Sequence, residues 1–271
     1  MAMNKSLAAG AAVIVLGGLG LWYTLESGSG RAPEATQPVD APADQGPTAP
    51  PPPPPAIAHP LPVAAGAAGN AELPATDQSD AALQAALPAV IGAGAVHDFL
   101  ETENLVRRLV VTVDNIPRQK IPVGRRPVKR LGAPFHADGD ELHATLDAAN
   151  YQRYAPYVAV VRNLDVTALM KLYLHFYPLL QHAYQDLGYP NGYFNDRLVE
   201  AIDVLVASPQ LTGPIDLVRP NVMYEFADPA LEGLPAGQKL MIRLGPENAL
   251  QIKAKLTELR AALTVTNASP R

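Results

Sequence analysis

Cysteine is absent from the 271-residue chain, which removes disulfides and thiolate chemistry and argues against a structural zinc site. Catalytic signatures are missing too. No G-x-S-x-G, H-E-x-x-H, Walker loop or dinucleotide fingerprint occurs, so no motif points to an enzyme or to a cofactor. Histidine is scarce: His175 and His182 lie seven residues apart on one expected helix, whereas a metal pair wants a spacing of three or four with a carboxylate close by. Only Asp186 stands in that relation to His182, so a satisfied or surface pair explains them and no metal site is assigned. Positive charge is not in excess either, with 21 Lys and Arg against 26 Asp and Glu and a formal net charge of -5, a poor fit to a nucleic-acid partner.

What the chain has in quantity is proline, 28 residues of it, unevenly placed. Ahead of the proline-rich stretch, Leu7 to Leu25 (LAAGAAVIVLGGLGLWYTL) carries no charge and is about as long as the apolar run that crosses a bilayer. Lys5 before it and Glu26 after it predict a single-pass inner-membrane anchor, with the N-terminus cytoplasmic and the rest periplasmic. A cleaved signal peptide is the competing reading, given the small residues Ser27, Gly28, Ser29 and Gly30. Trp22 and Tyr23 read as interfacial anchors, and no A-x-A site stands at cleavage distance. From 27 to 75 the chain is Pro, Ala, Gly and Asp, including the run Pro50 to Pro55, with no periodicity that could bury a core. It predicts a disordered tether, which in polyproline II would reach on the order of 100 Å.

Helical periodicity begins near Thr76. The densest signal is Asp165 to Ser208, which reads as two helices joined by a tight turn. Leu169, Leu172, Tyr173, Phe176, Leu179, Leu180, Ala183, Tyr184 and Leu187 form the first apolar stripe, with Pro178 predicting a kink. Gly188 supplies the stop, Tyr189 to Gly192 the turn, and Asn195 the next N-cap. Other helices are expected over 77–87, from about His97 to Val113, over 150–161 against the central hairpin, and over 247–263, where Leu250, Ile252, Leu256, Leu259 and Leu263 face inward. Asp138-Gly139 predicts a β-hairpin turn within 135–145; Pro214 to Pro220 reads as loop and 222–226 as a short extended segment.

Two features go beyond packing. Arg107, Arg108, Arg118, Lys120, Arg125, Arg126, Lys129 and Arg130 form a basic zone, broken by prolines in its second half, that is either a solvated face or a surface for an anionic envelope component. Tyr189 and Tyr193, on the turn, are the aromatic candidates for contacting a partner, with Asn195, Asp196 and Arg197 beside them. The candidate binding residues are therefore Arg118, Lys120, Arg125, Arg126, Lys129, Arg130, Tyr189 and Tyr193; no catalytic residue is assigned.

RRLVVTVDNIPR (Arg107 to Arg118), NYQRYAP (Asn150 to Pro156), YPLLQHAYQDLGYP (Tyr177 to Pro190), FNDRLVEAID (Phe194 to Asp203), YEFADPALE (Tyr224 to Glu232) and GQKLMIRLGPEN (Gly237 to Asn248) together resemble an uncharacterised bacterial family. Its members look like single-pass envelope proteins with a Pro-rich tether and one C-terminal domain of unknown function. The resemblance implies the same topology here and brings no activity, cofactor or catalytic residue.

The expected architecture is thus mainly α. Residues 1–26 form a stub and transmembrane anchor, 27–75 a disordered linker, 76–264 a single helical domain with a small β-hairpin, and 265–271 a frayed tail. The expected function is a membrane-anchored, non-catalytic binding or scaffolding module of the cell envelope, with a protein or anionic partner. The alternative is a periplasmic enzyme on a cell-wall or lipid substrate, with Asp196 and His182 as its acid-base pair.

Overall fold

A computed structural model describes residues 56–61, 73–132, 134–140, 144–220 and 223–264. The expected anchor, most of the expected tether and the expected tail lie outside these. Among the described residues no helix is long and apolar enough to cross a membrane.

The domain is mainly helical, with a small antiparallel sheet of four short strands. In chain order its helices are α1 Asp80–Ala86, α2 Pro88–Ile91, α3 Ala93–Phe99, α4 Leu105–Asn115, α5 Ala149–Arg162, α6 Val166–Asp186, α7 Phe194–Val206, α8 Pro229–Glu232, α9 Ala236–Arg243 and α10 Pro246–Leu263. The central place belongs to α7. Its broad apolar face packs on α4, α6, α9 and α10 at once, with Ala201, Ile202 and Leu205 completely buried, while Asp196, Glu200 and Asp203 line the opposite, open side. The stretch 165–208 is therefore the helical hairpin that its periodicity predicts, joined by Gly188 at φ 112°.

Several local expectations are corrected. The helix expected from His97 to Val113 is two helices, because Leu100 is extended and bridges to Val128, while the Asp80 carboxylate accepts from the backbone N–H of Asn104 and Leu105 (2.6 and 2.9 Å) and starts α4 afresh. Periodicity could not register a cap supplied from 25 residues away. The expectation of a kink at Pro178 is not overturned: the proline lies inside a single helix, α6 from Val166 to Asp186, on its exposed side, where the carbonyl it leaves unpaired can reach water. Leu187 is exposed rather than part of the stripe. In α10, Ile252, Leu256, Leu259 and Leu263 are buried as expected, but Leu250 is 57% exposed, since two residues turn a helix by about 200° away from Ile252. α5 packs chiefly on α10 rather than on the central hairpin.

The expected hairpin is half of a sheet of order β1-β2-β3-β4, with β1 Ala137–Gly139, β2 Ala144–Leu146, β3 Asp216–Val218 and β4 Glu225–Phe226. Asp138 and Gly139 are not its turn: they are paired strand residues, opposite Thr145 and Ala144. The stretch 214–220 is not all loop either, because Leu217 pairs with Ala144 on one side and Phe226 on the other and buries its side chain. Ala144, Leu146, Ile215, Leu217, Phe226 and Ile242 form a second small core, onto which Tyr151 at the start of α5 packs.

Gly245, between α9 and α10, has φ 84°, and a Cβ there would stand 2.5 Å from the Tyr151 ring. Both the left-handed backbone and the close approach require glycine. Gly245→Ala is expected to destabilise the domain by about 2–3 kcal/mol, the usual scale for overpacking combined with backbone strain. A denaturant titration checks this; an unchanged midpoint would mean that the ring simply moves aside.

Candidate functional site: the first turn of α7

The N-terminus of α7 would normally need its own cap. Tyr193 occupies the N-cap position without a side-chain bond of that kind, so Asn195, the expected cap, is instead inside the first turn. The cap comes from α6. Gln181 Oε1 accepts from the Phe194 N–H (2.8 Å) and from the Tyr177 hydroxyl (3.0 Å), and Gln181 Nε2 donates to the Gly192 carbonyl (2.7 Å). One side chain thereby closes the turn and satisfies the helix end.

That arrangement leaves Tyr193, Asn195 and Asp196 free to bind something else, and they bind main chain. Residues 56–61, which composition places inside the tether, lie across this corner. The Ala58 and His59 N–H groups donate to the two carboxylate oxygens of Asp196 (2.9 and 2.7 Å). The Leu61 N–H donates to the Tyr193 hydroxyl (3.0 Å), and Asn195 Nδ2 donates to the His59 carbonyl (2.8 Å). Asn195 is completely buried; its Oδ1 accepts from the Tyr173 hydroxyl (2.9 Å), which fixes which way the amide points. Two hydrogen bonds to a carboxylate at about 2 kcal/mol each and two neutral ones at about 1 kcal/mol give about 6 kcal/mol. Ordering six residues costs about 1 kcal/mol each, so the docked state is held by a narrow margin.

The walls are aromatic and apolar. Tyr177 meets Tyr173 and Tyr193 edge to face, with centroids 5.5 and 5.8 Å apart. Burial pushes the Tyr173 and Tyr177 hydroxyls up from their ordinary range, and neighbouring tyrosines add to this. Beside Ala58 and His59 an open groove of about 440 Å³ continues along α7, past Val199, Asp203 and Ala207, to Gln238. On the other side of Tyr173 a narrow, partly open apolar cleft of about 70 Å³ runs between α4 and α6.

Of the residues singled out in the sequence, Tyr193 is at this site and Tyr189 is not. Tyr189 stacks on Tyr184 (centroids 4.6 Å apart), and its hydroxyl accepts from Arg118 Nη2 (2.5 Å) and reaches Asp114 Oδ2 (3.4 Å). Asp114, whose side chain is 6% exposed, also pairs with Arg118 (3.0 Å) and with Arg197 Nε (3.1 Å). The hydrogen bond and charge of Asp114 hold the Arg118 guanidinium above its ordinary range. The basic zone is divided among several tasks. Arg108 donates to the carbonyls of Gly124 and Arg126 (3.0 Å each), and Lys129 Nζ donates to the His97 carbonyl (2.5 Å). Arg126 is buried, with Nε and Nη2 unpartnered, and burial followed by the nearby Arg130 lowers it from 12.5 to about 10. Lys120, Arg125 and Arg130 are exposed. The acid-base candidates Asp196 and His182 are engaged separately: Asp196 with the 58–59 backbone, His182 with Asp186 at 3.7 Å on an exposed face. Sequence reasoning missed residues 56–61 as a docked segment. The only available signal was the apolar-capable run Ile57 to Leu61 interrupting the prolines.

Fold and site together define a mainly helical domain that uses one helix terminus to hold the main chain of a distant segment. The profile of the family described as protein of unknown function (DUF3014) matches residues 105–260, and the chain belongs to that family. Comparison with curated proteins and with solved structures returned no match.

Two predictions follow from these charges and burials. Arg126→Met is expected to leave the melting temperature unchanged or to raise it, because a buried charge without a partner is replaced by an apolar chain of similar length. Arg125→Glu and Arg130→Glu are expected to change it by no more than the usual ~0.5 kcal/mol of a surface substitution; a fall with Arg126→Met would show that the guanidinium has a structural partner. The second concerns alkali. Tyr154, Tyr173 and Tyr177 are raised in the folded state, chiefly by burial, so the stability they confer is complete below the unfolded value of about 10 and is lost as pH climbs beyond it. Arg126, Arg153 and Lys253, lowered when folded, have the opposite sign, but Tyr151, Tyr157 and Tyr184 are raised as well and act with the first three tyrosines. Unfolding free energy should therefore hold to about pH 9 and fall above pH 10, less steeply in Tyr177→Phe; equal slopes would contradict the assignment.

Proposed function

We propose that this chain is a membrane-anchored, non-catalytic binding and scaffolding module of the bacterial cell envelope, with the Tyr193, Asn195 and Asp196 corner as its binding face. The observation that carries this reading is the use to which that corner is put. Both oxygens of Asp196, the Tyr193 hydroxyl and the Asn195 amide are spent on the main chain of another segment rather than on their own helix. Side chains at a helix start usually cap it, and here Gln181 has taken over that duty. The uncharged stretch Leu7 to Leu25 supports an inner-membrane anchor, and the proline-rich stretch after it supports a periplasmic domain standing off from the bilayer. The exposed Arg125 and Arg130 are the part of the basic zone left for an anionic envelope component.

The test is made on the full chain in cells, with a photo-crosslinking residue in place of Ala207, which lines the open groove and is exposed. The chain is expected to sediment with inner membranes, to be digested by protease added to spheroplasts, and to give on irradiation a discrete adduct with a second envelope component. Recovery in the soluble cytoplasmic fraction would contradict the anchoring, and the absence of any adduct would contradict the binding role.

A further inference from the structure

We propose that the α7 corner is a receptor for bent, proline-containing peptide segments of a partner protein, and that residues 56–61 are its built-in competitor. This rests on the binding-module reading above and names the partner class for the same face.

The hydrogen bonds define what the corner reads. It takes the N–H groups of residues 58, 59 and 61 and the carbonyl of 59, and asks nothing of the N–H at position 60. Position 60 is Pro60, which has no N–H to offer. A proline is therefore accepted at the third place of the four and would delete a donor at any of the other three. The side chains add a second layer. His59 and Leu61 are half-buried, while Ala56, Ile57, Ala58 and Pro60 face solvent; the chain bends at Ala58 and His59, which turns two successive amides to the one carboxylate. The main chain supplies the affinity, and the His59 and Leu61 side chains, set against the surface, supply the selectivity. Other windows of the chain, such as Thr36-Gln37-Pro38-Val39 and Asp40-Ala41-Pro42-Ala43, satisfy the N–H pattern but lack the His and Leu pair, which accounts for the register seen.

Two observations point beyond the segment itself. The open groove of about 440 Å³ beside Ala58 and His59 continues along α7 and is not filled by the segment, so the receptor is larger than its present occupant. And the occupant covers little: Ile57, its largest apolar side chain before His59, is 53% exposed. A ligand that also fills the groove makes every main-chain contact that residues 56–61 make and more, and displaces them.

The test uses the full chain in detergent and a fluorescent synthetic peptide with the sequence of residues 56–61, AIAHPL. Ala58→Pro with Leu61→Pro removes two of the three amide donors and releases the segment. The released chain is expected to bind the peptide at least about twofold more tightly than the wild type, whose site is occupied by its own segment about half of the time or more. Asp196→Ala in the released chain should abolish binding, as should a proline in place of the peptide's His. Equal binding by wild-type and released chains, or no binding by a released chain with the wild-type helical spectrum, overturns the proposal. A second measurement needs no variant: saturating peptide added to the isotopically labelled wild type should move the Ala58, His59 and Leu61 amide signals to unstructured positions, and signals that stay in place overturn it. A crosslink from position 207 that persists in a chain indifferent to peptide would leave the module reading standing and sink this one alone.

Discussion

The buried carboxylate of Asp114 is the interaction on which the rest of the architecture turns. It stands near the end of α4 and collects Arg118 from the following loop, Arg197 from the first turns of α7, and the Tyr189 hydroxyl from the turn between α6 and α7. Arg197 also donates to the Asp114 carbonyl and, at its outer edge, pairs with Glu200 at 2.6 Å. The end of α4 and the α6–α7 hairpin, 75 to 83 residues away in sequence, are thus tied to one charge. Breaking a buried pair by removing one partner typically costs about 3–5 kcal/mol, because the survivor is left uncompensated. The same contacts set the rotation of α7 about its axis, and so decide that Asp196 is partly exposed at the corner while Asn195 is buried beneath the docked segment.

Gln181 is the second constraint. By capping α7 from α6 it holds the turn closed and relieves the helix of any need for its own polar residues. The consequence is functional: a helix start whose Asp196 carboxylate and Tyr193 hydroxyl are not needed for its own cap is a place where another main chain can be bound. Residues 56–61 take that place within the chain itself, and the near balance between their hydrogen bonds and their ordering entropy makes the occupancy exchangeable.

The sequence made the large features legible and hid those that depend on distant partners. Apolar stripes at helical spacing marked α6, α7 and α10 because burial writes itself into periodicity, and Gly188 marked an end because its backbone constraint is local. The division of α3 from α4 was invisible, since the cap that starts α4 belongs to Asp80. The third strand was hidden for the same reason: three residues between prolines become a strand only when Ala144 and Phe226 lie on either side. At the site, Tyr193 was recognisable as an aromatic on a turn. Arg126 looked like its basic neighbours although it is buried, and Asp196 looked like a dipole partner although both its oxygens serve another segment. Charge type is local information; what a charge faces is not.

The central claim is that the first turn of α7 grips main chain through Asp196, and amide hydrogen exchange in the full chain tests it most directly. The amides of Ala58, His59 and Leu61 should be protected in the wild type, and Ala58 and His59 should lose that protection in Asp196→Ala while those of Ile202 and Leu205, deep in α7, keep theirs. Exchange of residues 58–61 at the rate of a free peptide in the wild type would contradict the account.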